Sequence, residues 1–168
     1  MEGALKLTPI IFLYYKQIMN VLKGLLSDTT YLLQFDGLAA PNPGEATSGA
    51  VLFKGGIVVF EVAEYLGFGT NNQAEYNSLL LGLRRARDIG VKELRIEGDS
   101  NLVVKQVSGL WKIKDLKLKV ICDQIKEIVE KDFDFVSISH VYRDYNKHAD
   151  ALTNECLALK KGFYRSYV

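Results

Sequence analysis

From Thr29 onward the chain alternates between short apolar runs and longer segments with apolar residues at every third or fourth position, the signature of strands interleaved with helices. Tyr31-Leu32-Leu33-Gln34-Phe35 reads as a buried strand ending at Asp36-Gly37, and Ala40-Pro41-Asn42-Pro43-Gly44 after it is dense turn chemistry. A loop is therefore expected just past Asp36. Gly49 to Lys54 and Ile57 to Val62 flank Gly55-Gly56, a pair that accepts the positive φ angles of a two-residue hairpin, so the first three strands are predicted as an antiparallel meander. Tyr76, Leu79, Leu80, Leu83 and Ala86 mark one face of a helix that starts after Asn71-Asn72 and stops near Gly90.

Glu93 to Glu97 alternates as a half-buried strand, stops at Gly98-Asp99-Ser100 and gives way to a short helix carrying Val103, Val104 and Val107. A second helix carries Leu118, Ile121, Ile125 and Ile128, a strand follows from Asp134 to Val141, and a last helix carries Ala149, Leu152, Cys156 and Leu159. The order is βββαβααβα. Its strand–helix–strand unit implies parallel pairing and hence an α/β fold.

Residues 1–28 read as an appendage, followed by one domain over 29–160 and a C-terminal tail over 161–168. The apolar run Pro9 to Tyr15 is interrupted by Lys16, Gln17, Asn20 and Lys23 well before the roughly 20 residues a bilayer span needs, so no stable membrane insertion is expected. Ile11, Tyr14 or Tyr15, Ile18, Leu22 and Leu25 recur at helical spacing and predict an amphipathic helix, packed on the domain or on a protein partner left open. A signal peptide would have a basic start and a small-residue cleavage site, and Glu2 with no arginine argues against a mitochondrial presequence.

Composition narrows the class. Hydrophobic residues at 48% and charged residues at 24% exclude intrinsic disorder for most of the 168 residues. With 21 Lys+Arg against 20 Asp+Glu the formal charge is +1, so a nucleic-acid site, if there is one, must come from local arrangement or from metal ions. Cys122 and Cys156 each lie among apolar residues at helical spacing, which predicts buried free thiols and a soluble, intracellular protein. A monomer is expected.

The candidate chemistry lies in carboxylates. Asp36 and Asp99 each end a strand; if those strands are parallel neighbours, the two carboxylates meet at one sheet edge, where open α/β sheets hold their ligands. Glu75 in the first turn of the long helix and Asp150 at the start of the last can reach the same edge. Two like charges about 4 Å apart repel by about 4 kcal/mol at an effective dielectric near 20, so such a cluster calls for divalent cations. An all-carboxylate set suits hard ions such as Mg²⁺, and two-metal phosphoryl chemistry is its natural use. Each acid also has a local reading: Glu75 as capping-box partner of Asn72, Asp99 as a helix N-cap, Asp36 as a turn residue, Asp150 as a charge favoured by the helix dipole.

From Tyr31 to Leu159, through Phe35-Asp36-Gly37, Pro41-Asn42-Pro43-Gly44, Asn71-Asn72-Gln73-Ala74-Glu75, Glu97-Gly98-Asp99-Ser100 and Asn146-Lys147-His148-Ala149-Asp150-Ala151-Leu152, the sequence resembles the type 1 ribonuclease H family, closest to its compact plant and archaeal branch. The resemblance implies a ribonuclease-H-like, five-stranded mixed sheet with helices on both faces. It also implies endonucleolytic hydrolysis of the RNA strand of an RNA/DNA hybrid to 3′-hydroxyl and 5′-phosphate ends. Asp36, Glu75, Asp99 and Asp150 then fall on the catalytic, metal-binding positions, for two Mg²⁺ ions with Mn²⁺ as a substitute, one ion activating water and the other stabilising the leaving oxygen.

The resemblance further assigns substrate contacts to Gly37, Asn42, Asn72, Gln73, Ser100 and Asn146 and places the RNA 2′-hydroxyl beside Glu75, while Arg143 is the local candidate for a phosphate contact. A basic handle is shortened to Leu110-Trp111-Lys112-Ile113-Lys114, in which Trp111, Lys112 and Lys114 are the candidate contacts to the DNA strand. The chain departs from bacterial members at Tyr142-Arg143-Asp144-Tyr145, which lacks their mobile histidine; His148 is expected to point elsewhere, and the bulk of Leu38 after Asp36-Gly37 narrows the approach. Two other readings stand beside the hybrid ribonuclease: a catalytically silent nucleic-acid-binding or interaction module, and a related nuclease acting on DNA or double-stranded RNA.

Overall fold

The computed structural model describes Ile18 and residues 30–168; the expected N-terminal helix, Ile18 apart, lies outside the described residues. The elements are β1 (Tyr31–Ala40), β2 (Gly44–Lys54), β3 (Ile57–Gly69), α1 (Asn71–Asp88), β4 (Glu93–Gly98), α2 (Asn101–Val107), α3 (Leu116–Asp132), β5 (Phe135–His140), α4 (Lys147–Leu159) and β6 (Phe163–Ser166). The strands form one mixed sheet in the order β5-β4-β1-β2-β3-β6. β1, β2 and β3 are the expected meander, and Gly55 and Gly56 at their hairpin have φ of 56° and 76°. β4 pairs parallel to β1, and β5 parallel to β4.

Three expectations are corrected. β1 does not end at Asp36: it pairs with β2 as far as Ala40↔Glu45, so Asp36 lies inside a strand and the turn begins at Pro41. β2 and β3 are likewise longer than their apolar runs, because small and polar residues such as Ala46, Thr47 and Ser48 are buried under helices. The sheet has six strands, not five, since Phe163–Ser166 of the expected tail pairs antiparallel to β3.

One face of the sheet packs Leu33, Phe35, Leu52, Phe60, Leu94 and Ile96 against Tyr76, Leu79 and Leu83 of α1 and Cys122, Ile125 and Ile128 of α3. On the other face, Val51 packs with Ala149 and Leu152 of α4. Helices thus cover both faces, and Cys122 and Cys156 are buried free thiols as the apolar spacing predicts. Among the described residues, no helix is long and apolar enough to cross a membrane.

Candidate active site

The parallel β1–β4 register ends at Phe35↔Gly98, which sets Asp36, inside β1, beside Asp99, just after β4. Glu75 arrives from α1, and its approach depends on Gly37: a Cβ there would lie 2.2 Å from both Ala74 C and Glu75 N. Any side chain at that position would push the start of α1 off the sheet. Buried Ser48 fastens the same turn by donating from Oγ to Ala74 O at 2.7 Å. As a result, one carboxylate oxygen from each of Asp36, Glu75 and Asp99 lies within 4.8 Å of the others. Asp150, exposed in the first turn of α4, joins them in lining a cavity of about 410 Å³, together with Gly37, Leu38, Asn71, Asn72, Ser100 and Arg143.

These charges are poorly compensated. Burial first, then repulsion from Asp99 and Asp150, pushes the Asp36 carboxyl up to about 7, against the lowering effect of hydrogen bonds with Glu75 and Thr153. Glu75 is held well above the usual carboxylate range by burial and then by Asp36 and Asp99. Its Oε2 is buried and has no hydrogen-bond partner. Among the described residues Arg143 is the one cation in ion-pair contact with the four acids, its Nε 3.5 Å from Asp99 Oδ2 and its side chain 87% exposed. A group of carboxylates with a buried, orphaned oxygen and only a loose cation fits a hard divalent ion, which takes oxygen ligands and would satisfy that atom.

Local readings of three acids fail against this geometry. The capping box of α1 is made by Thr70 and Gln73, not by Asn72 and Glu75. Ser100, not Asp99, caps α2 through its hydroxyl. Asp36 is in a strand and not in a turn. Only Asp150 keeps the first-turn placement that a helix dipole favours, and it faces the cavity as well.

The other expected contact residues divide. Gly37, Asn72, Ser100 and Arg143 line the cavity, and Asn42 is exposed on its rim, its Oδ1 accepting from Asn71 N at 3.0 Å. Gln73 is engaged in the capping box, its Oε1 accepting from Thr70 N. Asn146, expected among substrate contacts, is fully buried and donates from Nδ2 to Phe35 O at 2.9 Å; it ties the start of α4 to β1 instead of facing a ligand. Trp111, Lys112 and Lys114 sit away from the acids on the α2–α3 connection, where Lys112 O accepts from buried Gln106, itself bonded to Tyr76.

Two residues absent from the sequence-based set also shape the site. Asn71 Oδ1 accepts from Ala39 N at 2.7 Å while its own N–H orients Asn42. Thr153, one helical turn after Asp150, bridges Asp36 Oδ2 at 3.2 Å and Asp150 O at 2.7 Å. The i, i+3 spacing from Asp150 is its only signal in the sequence.

Residues 34–156 match the family model described as Reverse transcriptase-like. Over 124 residues, 73% of this chain, the sequence is 44% identical to Ribonuclease HI of Halobacterium salinarum, and it spans 62% of that relative's length. The crystal structure of RNase H1 from the same archaeon superposes with a TM-score of 0.74 at 42% identity, covering 77% of this chain and 98% of that one. The chain belongs to the type 1 ribonuclease H family. A second member, LC11-RNase H1 in complex with an RNA/DNA hybrid, superposes with a TM-score of 0.75 at 31% identity, over 78% of this chain and 99% of that one.

Within this ribonuclease H fold, His148 turns to the meander. Its Nε2 lies 2.5 Å from Glu61 Oε1 and its ring stands edge-on to Phe53. Burial would raise Glu61, but hydrogen bonds from His148, Tyr167 and Arg165 outweigh it and hold that carboxylate below its usual range. A side chain so engaged is not poised over the acid cluster. His148→Ala is expected to lower kcat on an RNA/DNA hybrid by less than about tenfold, since a metal-activated water needs no imidazole. A loss matching that of Asp99→Asn in the same assay would place His148 in the catalytic apparatus.

Proposed function

We propose that the chain is a metal-dependent endonuclease that hydrolyses the RNA strand of RNA/DNA hybrids, leaving 3′-hydroxyl and 5′-phosphate ends. The observation that carries this reading is the convergence of Asp36, Glu75 and Asp99, with a buried unpartnered Glu75 oxygen, where the parallel pairing of β1 with β4 ends in a type 1 ribonuclease H fold. Asp36, Glu75, Asp99 and Asp150 would hold two Mg²⁺ ions, for which Mn²⁺ could substitute. Bound there, the ions supply an activated water and stabilise charge on the leaving oxygen.

The chain's own groups do the rest. Thr153 and the Gly37 backbone N–H steady Asp36 and Glu75, while Asn71 orients Asn42 on the rim. Asn42 and Asn72 read the minor groove with amides that both donate and accept, and Glu75 lies within reach of the 2′-hydroxyl that marks the RNA strand. Arg143, exposed beside Asp99, meets a phosphate. Hydrolysis of a hybrid whose RNA carries an end label, followed by end-group analysis, tests the reading: 3′-hydroxyl and 5′-phosphate products support it, and 2′,3′-cyclic phosphate ends would refute it.

Lys112 and Lys114 are exposed beside Trp111, itself 49% exposed, and they add local phosphate neutralisation to a chain whose net charge is only +1. Replacing both with Ala is expected to flatten the dependence of log affinity on log salt by roughly 0.9 for each phosphate that is no longer neutralised. Hybrid binding measured in Ca²⁺ over a salt series checks this; an unchanged slope would put these lysines off the path of the duplex.

A further inference from the structure

The segment His140 to Tyr145 is the most aromatic exposed stretch of the described chain outside the acid cluster. Tyr142 is 76% exposed and Tyr145 71%, with His140 also exposed and its ring 6.0 Å from that of Tyr142 in an edge-on arrangement. Apolar ring faces in water normally find cover in a core, and here nothing among the described residues covers them. The exposure does not come from a loose backbone. Val141 N donates to Gly98 O at 3.0 Å, Tyr145 N to Tyr142 O at 2.8 Å, and Tyr145 O accepts from Gln34 Nε2 at 3.0 Å. Buried Asn146 then fixes the exit of the segment to β1.

A turn closed by that i to i+3 bond keeps the Cα atoms of Tyr142 and Tyr145 within about 7 Å of each other. Arg143, between them, lines the acid cavity and leans on Asp99 at 3.5 Å. Tyr142 and Tyr145 thus flank, along the chain, a residue that lines the acid cavity, without lining it themselves. What they can bind follows from their chemistry. In a duplex the bases are stacked on one another and offer no face, whereas an unpaired strand offers a base face at every nucleotide and a phosphate for the neighbouring guanidinium.

We infer that Tyr142 and Tyr145, with Arg143 between them, form a stacking platform for a single-stranded nucleic-acid tail that adjoins the duplex at the site. The inference rests on the hybrid-cleaving function proposed above and makes a hybrid with an unpaired extension the favoured substrate. Stacking is indifferent to the sugar, so RNA and DNA tails share this chemistry.

The test is binding in Ca²⁺ by fluorescence anisotropy, comparing one labelled hybrid made blunt, with an RNA tail and with a DNA tail on either end. The full chain is expected to bind one tailed polarity roughly ten- to a hundredfold more tightly than the blunt hybrid. In Tyr142→Ala/Tyr145→Ala that ratio is expected to fall to near one, and in Tyr142→Phe/Tyr145→Phe to persist, because a ring is needed and a hydroxyl is not. No preference for any tail in the full chain, a ratio unchanged by the Ala pair, or a ratio lost in the Phe pair would each overturn the inference. Equal ratios for RNA and DNA tails support stacking; a preference confined to RNA tails would replace it with recognition of the 2′-hydroxyl. Cleavage of the blunt hybrid in Mg²⁺ by the unmodified chain separates the two claims: its absence counts against the proposed function, whereas its presence with no tail preference counts against the platform alone.

Discussion

Asp36→Asn and Asp99→Asn each abolish cleavage, by at least about a thousandfold, while the metal-free protein keeps its fold and gains stability. Both parts follow from the same charges. Each substitution removes a ligand oxygen's negative charge from the ion site, and each relieves repulsion that the exposed Arg143 beside Asp99 only partly offsets when ions are stripped. The pH dependence gives the sign. Asp36 ionises near 3.8 in an ordinary setting and at about 7 in the folded chain, so the folded state holds its proton more tightly. Stability present below about 4 is then lost as pH rises towards about 7, by up to about 4 kcal/mol for a displacement of that size. Thermal or urea unfolding in chelator should show Asp36→Asn no more stable than the parent at pH 4 and more stable by about 2–4 kcal/mol at pH 8. Equal stability at both pH values would mean that burial and the neighbouring acids together do not disfavour a charged Asp36 in the folded chain.

Gly37→Ala should be the most damaging small substitution outside the acids. The added Cβ has no flexible neighbour to displace, only the backbone of Ala74 and Glu75 at 2.2 Å. α1 must shift, and Glu75 shifts with it. A destabilisation of about 3 kcal/mol and a loss of activity larger than the unfolded fraction explains are expected. Comparing residual turnover with the folded fraction from circular dichroism checks this. Near-parent activity and stability would show that the helix is not seated on Gly37.

How far the sequence reveals this site differs from residue to residue. Asp36 and Asp99 are legible because both follow apolar strand runs, and parallel pairing of β1 with β4 brings such positions together without further information. Helical periodicity places both Glu75 and Asp150 at helix starts; Asp150 is in the first turn of α4, whereas α1 begins at Asn71 and sets Glu75 just past its first turn. The ends of β1, β2 and β3 are not, since strand length past Phe35 is fixed by pairing and by helices lying over Ala46, Thr47 and Ser48, and apolar pattern does not record it. The capping residues are ambiguous in the sequence, because Asn72-x-x-Glu75 and Thr70-x-x-Gln73 both satisfy the capping-box spacing; the structure starts α1 at Asn71 with Thr70 as its cap. Asn146, a substrate contact by resemblance, is instead turned inward by its bond to Phe35 O. β6 is silent because four residues of half-exposed pattern carry little signal until β3 offers them an edge.

If the acid cluster cuts RNA only when it is paired with DNA, the strand pairing of the substrate decides the outcome. Labelled RNA/DNA, RNA/RNA and DNA/DNA duplexes of one sequence are to be compared side by side in Mg²⁺, with Asp36→Asn as the control for contaminating nuclease. Cleavage of the RNA strand of the hybrid is expected, with far slower cutting of the other two duplexes and none in the Asp36→Asn protein. Preferential cutting of DNA/DNA or RNA/RNA by the parent, or hybrid cutting that survives Asp36→Asn, would contradict the proposed function.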